Sequence, residues 1–106
     1  MRVFVYGTLL DQGCVERVTG RRFSSRAGTL HGWIRTTGDH GYPVIHPVAG
    51  GRVKGLVLDG IDDWALRSLD AYEDEGRLYV RKTVYVRIDG CSTACDTYVA
   101  AATRVP

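Results

Sequence analysis

The chain has 106 residues, 44% of them hydrophobic, and a net charge of +2. That suits one compact domain over residues 1–106, burying about 65% of its unfolded surface, and leaves no room for a second. The weak charge, with a pI near 8.5, excludes the footprint of a dedicated nucleic-acid binder, and no apolar run approaches the roughly 18 residues of a membrane span. Met1 leads straight into a strand, with no basic and apolar leader, so the expected location is the cytoplasm. Cys14, Cys91 and Cys95 are odd in number, and three residues separate the last two where zinc and redox pairs usually have two. They read as free thiols.

Val3, Phe4, Val5 and Tyr6 are β-branched or aromatic and uncharged, which predicts a short strand buried on both faces. Gly7 breaks it. A glycine there lets the backbone turn so that the N–H groups of Gly7, Thr8 and Leu9 converge on one point, a way to hold a carboxylate without side-chain charge. Gly13 to Val18 reads as a short helix. Arg17, Arg21, Arg22 and Arg26 form a basic cluster, expected as a solvated face because no aromatic residues interleave it as on a nucleic-acid surface.

Ala27 to Ile34 predicts a strand with Ala27, Thr29, His31 and Trp33 on one face and Gly28, Leu30, Gly32 and Ile34 on the other. Paired glycines on one face imply tight curvature, as in a small barrel. Thr36 to Gly41 is turn-rich. Tyr42 to Pro47 reads as an extended edge or loop, since each proline removes a ladder donor, and Val48 to Gly51 as a further turn. His31, His40 and His46 have no metal-ligand spacing and read as structural or surface residues, so no metal and no organic cofactor is expected.

Val53 to Leu58 alternates as a strand. Asp62 or Asp63 caps a helix to about Tyr72, with Ile61, Ala65, Leu66, Leu69 and Tyr72 as its apolar stripe and Asp63, Arg67 and Asp70 toward water. Glu73, Asp74 and Glu75 then crowd a helix C-terminus that the macrodipole makes unfavourable for carboxylates, a conflict that hints at function. Tyr79 to Ile88 and Thr93 to Ala101 read as two strands of a hairpin turning at Asp89-Gly90. The sum is an α+β domain on a curved, mainly antiparallel sheet.

Three pieces in order resemble the gamma-glutamylcyclotransferase-like family, which includes the gamma-glutamylamine cyclotransferases. Val5-Tyr6-Gly7-Thr8-Leu9 is similar to the family's Tyr-Gly-Ser/Thr loop, Leu69-Asp70-Ala71-Tyr72-Glu73 to its helix-end Leu-Asp-x-x-Glu, and Tyr79-Val80-Arg81 to its Tyr-x-Arg. Gly55, Tyr42-Pro43 and Tyr98-Val99 agree in order, so the resemblance covers nearly the whole chain. It implies a small mixed, mainly antiparallel β-barrel with flanking helices and a pocket at its mouth. The family usually has glycine directly after its glutamate, whereas Asp74 and Glu75 precede Gly76 here. Glu75 therefore competes with Glu73, and Glu73 is preferred because it keeps the Leu-Asp-x-x-Glu spacing and the six-residue step to Tyr79.

The resemblance implies an intramolecular transfer: the α-amine of a γ-glutamyl group attacks its own side-chain carbonyl, giving 5-oxoproline and a free amine or amino acid. Glu73 is then the general acid/base, Tyr6, Gly7, Thr8, Leu9 and Tyr98 bind substrate, and Tyr79 and Arg81 support them. A different class of function is a non-catalytic small-molecule binding module of the same fold. The partner is a small γ-glutamyl molecule, not a nucleic acid or a membrane. The sequence leaves the leaving group and the oligomeric state open.

Overall fold

The computed structural model describes residues 1–38 and 41–101; the expectations for Asp39 and His40 lie outside them. Strand β1 (Val3–Val5) is buried throughout, with Val3 and Val5 in one core layer and Phe4 in another. A 3₁₀ turn, Thr8–Leu10, follows, and then helix α1 (Gln12–Thr19). The Asp11 carboxylate accepts from the Gly13 N–H at 2.9 Å to cap α1, and Gly20 ends it in the left-handed conformation.

Strands β2 (Ser25–Thr37) and β3 (Pro43–Leu58) form one long antiparallel pair, longer than the sequence suggests. One expectation needs correction, the turn at Val48 to Gly51. Of the two readings of Tyr42 to Pro47, the structure takes the extended edge: from Pro43 it is paired strand, with Pro43 opposite Thr37 and Pro47 opposite Trp33. Two prolines four residues apart direct their missing donors to the same side, which a strand partnered on its other side leaves empty. Val48 to Gly51 does not separate two strands. Pairing steps from His31↔Arg52 to Trp33↔Pro47, so these four residues stand opposite Gly32 alone as an enlarged bulge, with Gly32 at φ 87° and Gly50 at φ 81°.

That bulge inverts the facing of β2. Leu30 points into the barrel, but beyond Gly32 it is Trp33, expected on the opposite face, that packs against the inner core, while Ile34 faces solvent. An inserted irregularity shifts a period-two pattern by one, which alternation alone does not reveal.

Helix α2 (Asp63–Tyr72) starts at Asp62, whose carboxylate accepts from the Ala65 N–H at 2.8 Å. Strands β4 (Tyr79–Ile88) and β5 (Cys91–Ala100) form a continuous hairpin turning at Asp89 and Gly90, both at positive φ. The strands close as β1-β3-β2-β4-β5. The β1–β5 seam is parallel and the other pairings antiparallel, giving a mixed barrel. At that seam the buried Thr97 hydroxyl donates to the Phe4 carbonyl at 2.8 Å, tying the strands where the backbone ladder is short.

The core has two layers. The barrel interior holds Phe4, Tyr6, Leu30, Ile45, Val57, Val84, Val86 and Ile88. The second lies between the outside of β1, β3 and β5 and the two helices, and contains Val5, Leu9, Val15, Leu58, Leu66, Leu69, Tyr79 and Tyr98. No helix among the described residues is long and apolar enough to cross a membrane. The arginine cluster is largely paired, Arg21 with Asp62, Arg22 with Glu16 at 3.3 Å and Arg26 with Asp59 at 2.9 Å. Cys14, Cys91 and Cys95 are free.

Candidate active site

β1 delivers the chain to the rim of the barrel, where Tyr6 and Gly7 leave the sheet and Thr8–Leu10 coil back. The Leu10 N–H donates to the Gly7 carbonyl at 3.0 Å. The first turn of such a helix leaves its leading amides without intrahelical acceptors, and among the described residues those of Gly7, Thr8 and Leu9 donate to none. Gly7 sits against Pro43, where a Cβ would come within 3.2 Å of Cγ.

The C-terminal end of α2 meets this loop. A pocket of about 250 Å³ opens between them, walled by Tyr6, Gly7, Thr8, Leu9, Tyr42, Pro43, Tyr72, Glu73, Leu78, Tyr79 and Tyr98, with Phe4 and Val5 beneath. All but one of the expected site residues, Tyr6, Gly7, Thr8, Leu9, Glu73, Tyr79 and Tyr98, thus surround one cavity. Arg81 is the exception: it stands opposite Tyr98 in the β4–β5 ladder, and its side chain pairs with Asp70 and Asp96, neither of which lines the cavity.

Among the described residues Glu73 is the one carboxylic acid in the wall. Burial alone raises its carboxyl, to about 7. Glu75 is exposed, and its carboxylate accepts from the Arg81 N–H at 3.2 Å, outside the pocket. Asp74 adopts φ 53° and pairs with Arg77 at 2.6 Å. The two residues inserted before Gly76 therefore make a tight turn whose carboxylates are directed elsewhere.

The aromatic residues are fixed by their hydroxyls. The Tyr6 hydroxyl donates to the Tyr98 carbonyl, the Tyr79 hydroxyl to the Pro43 carbonyl at 2.8 Å, and the Tyr98 hydroxyl to Asp70 Oδ1 at 2.6 Å. Tyr72 shares a hydrogen bond with the Thr8 hydroxyl at 2.8 Å, joining α2 to the loop. Burial pushes the Tyr6 and Tyr98 hydroxyls well above the ordinary phenol range, and donation to Asp70 adds to the rise at Tyr98. These phenols stay protonated and act as donors.

Asp70 departs from expectation. It is half-buried and paired rather than solvated: beyond Tyr98, it lies 3.2 Å from Arg81 Nε, and Arg81 Nη1 is 3.4 Å from Asp96. One turn ahead of Glu73, Asp70 is the helix residue that β4 and β5 grip; its place in the Leu69–Glu73 piece was visible in the sequence, but its partners on β4 and β5 were not. Arg35 was not legible as a site residue either. Its Nη1 donates to the Tyr6 carbonyl at 2.7 Å, a contact across 29 residues that only the register of β2 creates.

Residues 3–106 match the family described as gamma-glutamyl cyclotransferase, AIG2-like. The chain belongs to this family. It is 37% identical over 100 residues to AIG2-like protein C of Arabidopsis thaliana, a match covering 92% of this chain and 57% of that protein, and 34% identical over 100 residues to protein AIG2 C of the same plant, covering 92% and 59%. The chain thus spans less than three fifths of these relatives' length. A solution structure of another Arabidopsis thaliana protein superposes with a TM-score of 0.83 at 33% identity, covering 99% of this chain and 71% of that one. A structure named gamma-glutamyl cyclotransferase superposes with a TM-score of 0.77 at 20% identity, covering 95% and 66%, which shows a shared fold.

Proposed function

We propose that this protein is a γ-glutamyl cyclotransferase acting on a γ-glutamyl amine, with Glu73 as its general acid/base. The observation that carries the reading is Glu73 itself, a carboxyl raised to about 7 by burial, in the wall of the cavity that also holds the unpaired amides of Gly7, Thr8 and Leu9.

The substrate's α-amine is protonated at neutral pH and becomes a nucleophile on losing that proton. Glu73 takes the proton, with a carboxyl poised near the working pH as general-base chemistry favours. The amine nitrogen bonds to the γ-carbonyl carbon, and negative charge moves to the carbonyl oxygen. The loop amides receive that charge or the α-carboxylate, each donor being worth about 3 kcal/mol if aimed at developing charge. The carbon–nitrogen bond to the leaving group then breaks as Glu73 returns the proton to the departing nitrogen, and the second proton of the ring nitrogen passes through the freed Glu73 carboxylate to the released amine, which leaves as its ammonium. The products are 5-oxoproline and a free amine, and no water is consumed. The ring-closing geometry comes from the tyrosines, whose bonded hydroxyls keep the walls fixed around a folded substrate. Tyr79 and Arg81 hold that frame, Tyr79 through Pro43 and Arg81 through Asp70.

Among the described residues the wall offers no lysine, arginine or histidine, while Tyr42, Tyr72 and Leu78 present exposed apolar surface at its mouth. A second carboxylate, on a leaving amino acid, would meet no cation there, which favours a simple amine. Three free cysteines support a reducing compartment such as the cytoplasm.

The test is 5-oxoproline release from a panel of γ-glutamyl amines and γ-glutamyl amino acids. Turnover by the parent, lost in Glu73→Gln and kept in Glu75→Gln, is the expected result. A parent that binds 5-oxoproline but turns over nothing would reduce the site to a binding module.

A further inference from the structure

We propose that Arg35 is a positioning residue for the loop amides: by holding the Tyr6 carbonyl it fixes the Tyr6–Gly7 peptide so that the Gly7 N–H faces the pocket. This rests on the cyclotransferase reading of that pocket.

Arg35 reaches the site through the bulge in β2. Directly opposed residues of an antiparallel pair project on the same face, and Arg35 is opposite Ile45, which is 1% exposed inside the barrel. With uninterrupted alternation from Leu30, the inner face would carry Gly32 and Ile34 and Arg35 would point away. The step at Gly32 reverses this and sets Arg35 on the inner face at the barrel's end, above Trp33. From there Nη1 donates to the Tyr6 carbonyl at 2.7 Å.

A trans peptide is planar, and its C=O and N–H point in opposite directions. Pinning the Tyr6 oxygen on the Arg35 side therefore directs the Gly7 N–H to the other side. Gly7 lines the pocket and Arg35 does not. The neighbouring groups are also held: the Tyr6 ring by its hydroxyl on Tyr98, and the Gly7 carbonyl by the Leu10 N–H. The Gly7 N–H itself donates to no acceptor among the described residues. A cationic donor on the carbonyl also polarises the peptide and strengthens that N–H as a donor.

The experiment compares the parent with Arg35→Met, which keeps the aliphatic stem, and Arg35→Lys. Arg35→Met is expected to lose about tenfold in kcat/KM, less than deleting a direct oxyanion donor, because the amide survives but is no longer aimed. Millimolar guanidinium should recover part of the loss and sodium chloride at equal ionic strength none of it, a response a purely structural role would not give. By NMR, the Gly7 amide proton should move downfield on titration with 5-oxoproline in the parent and by less than half as much in Arg35→Met. An Arg35→Met protein within twofold of the parent, with an unchanged Gly7 response, overturns the proposal. Should Arg35→Met not fold, Arg35→Lys decides: a partial loss that guanidinium recovers supports the inference, and parent-like behaviour with no such response overturns it. If the parent turns over no substrate, the cyclotransferase reading fails separately, and the Gly7 response to 5-oxoproline still tests Arg35.

Discussion

Burial at the end of α2 sets two opposing demands on Glu73. In the folded state its carboxyl is raised to about 7 from an ordinary 4.5. The folded protein thus holds a proton that the unfolded chain has already lost between those values. The favourable contribution of the neutral acid is complete below about pH 4.5 and is lost as pH rises through 7. Glu73→Gln should therefore match the parent in thermal stability at pH 4 and exceed it at pH 8, read from melting curves across that range. Activity should run the other way. The parent's kcat/KM is expected to rise with pH through a single ionisation near 7, as the base form accumulates. A flat profile over pH 5.5–8 would remove Glu73 as the base. That Glu73 stands apart from Asp74 and Glu75 was only half legible in the sequence. Spacing favoured it, but the decision comes from the left-handed turn at Asp74, which sends the next two carboxylates toward Arg77 and the Arg81 backbone.

At the scale of the elements, strand length and facing depend on glycines that make room or bend the chain. Gly55 lies under β1, where an added Cβ would fall 2.3 Å from the Val5 carbonyl oxygen and 2.8 Å from the Phe4 ring. Neither neighbour is free to move, so Gly55→Ala should destabilise by about 3 kcal/mol in urea unfolding. Gly32 acts by conformation: at φ 87° a β-branched side chain is strained, and Gly32→Val should cost about 2 kcal/mol. It should also lower kcat/KM by more than the stability loss explains, because the bulge determines whether Arg35 reaches Tyr6. The helices were better announced. Asp62 as cap and the stripe from Ile61 to Leu69 stood in the sequence because a helix on a barrel wall has one apolar side, and β1 stood out because both of its sides are covered.

Across the whole molecule, β1 belongs to both core layers, so neither the barrel interior nor the helix layer can open alone without exposing it. Unfolding should be a single transition. The two tryptophans report on different parts, Trp33 at the barrel's mouth and Trp64 on α2, and Trp33→Phe and Trp64→Phe should give coincident urea midpoints by fluorescence. Substrate choice is also a property of the assembled mouth: γ-glutamyl benzylamine should exceed γ-glutamyl alanine in kcat/KM by about tenfold, and Leu78→Lys should narrow that gap by giving a carboxylate a partner. By itself, the sequence determined where chain segments are apolar, which residues break them, and the ordered Tyr6–Leu9, Leu69–Glu73 and Tyr79–Arg81 pieces that mark the family. These are local properties, fixed by side-chain chemistry and spacing of a few residues. The tertiary structure decided what depends on register: that Pro43 to Leu58 is one strand, that the bulge at Gly32 turns Arg35 inward, that Asp70 is bound rather than solvated, and that Glu73 alone of three acids lines the cavity. Pairing between distant strands sets which way each residue faces, and no local pattern encodes a shift introduced by four residues standing opposite one.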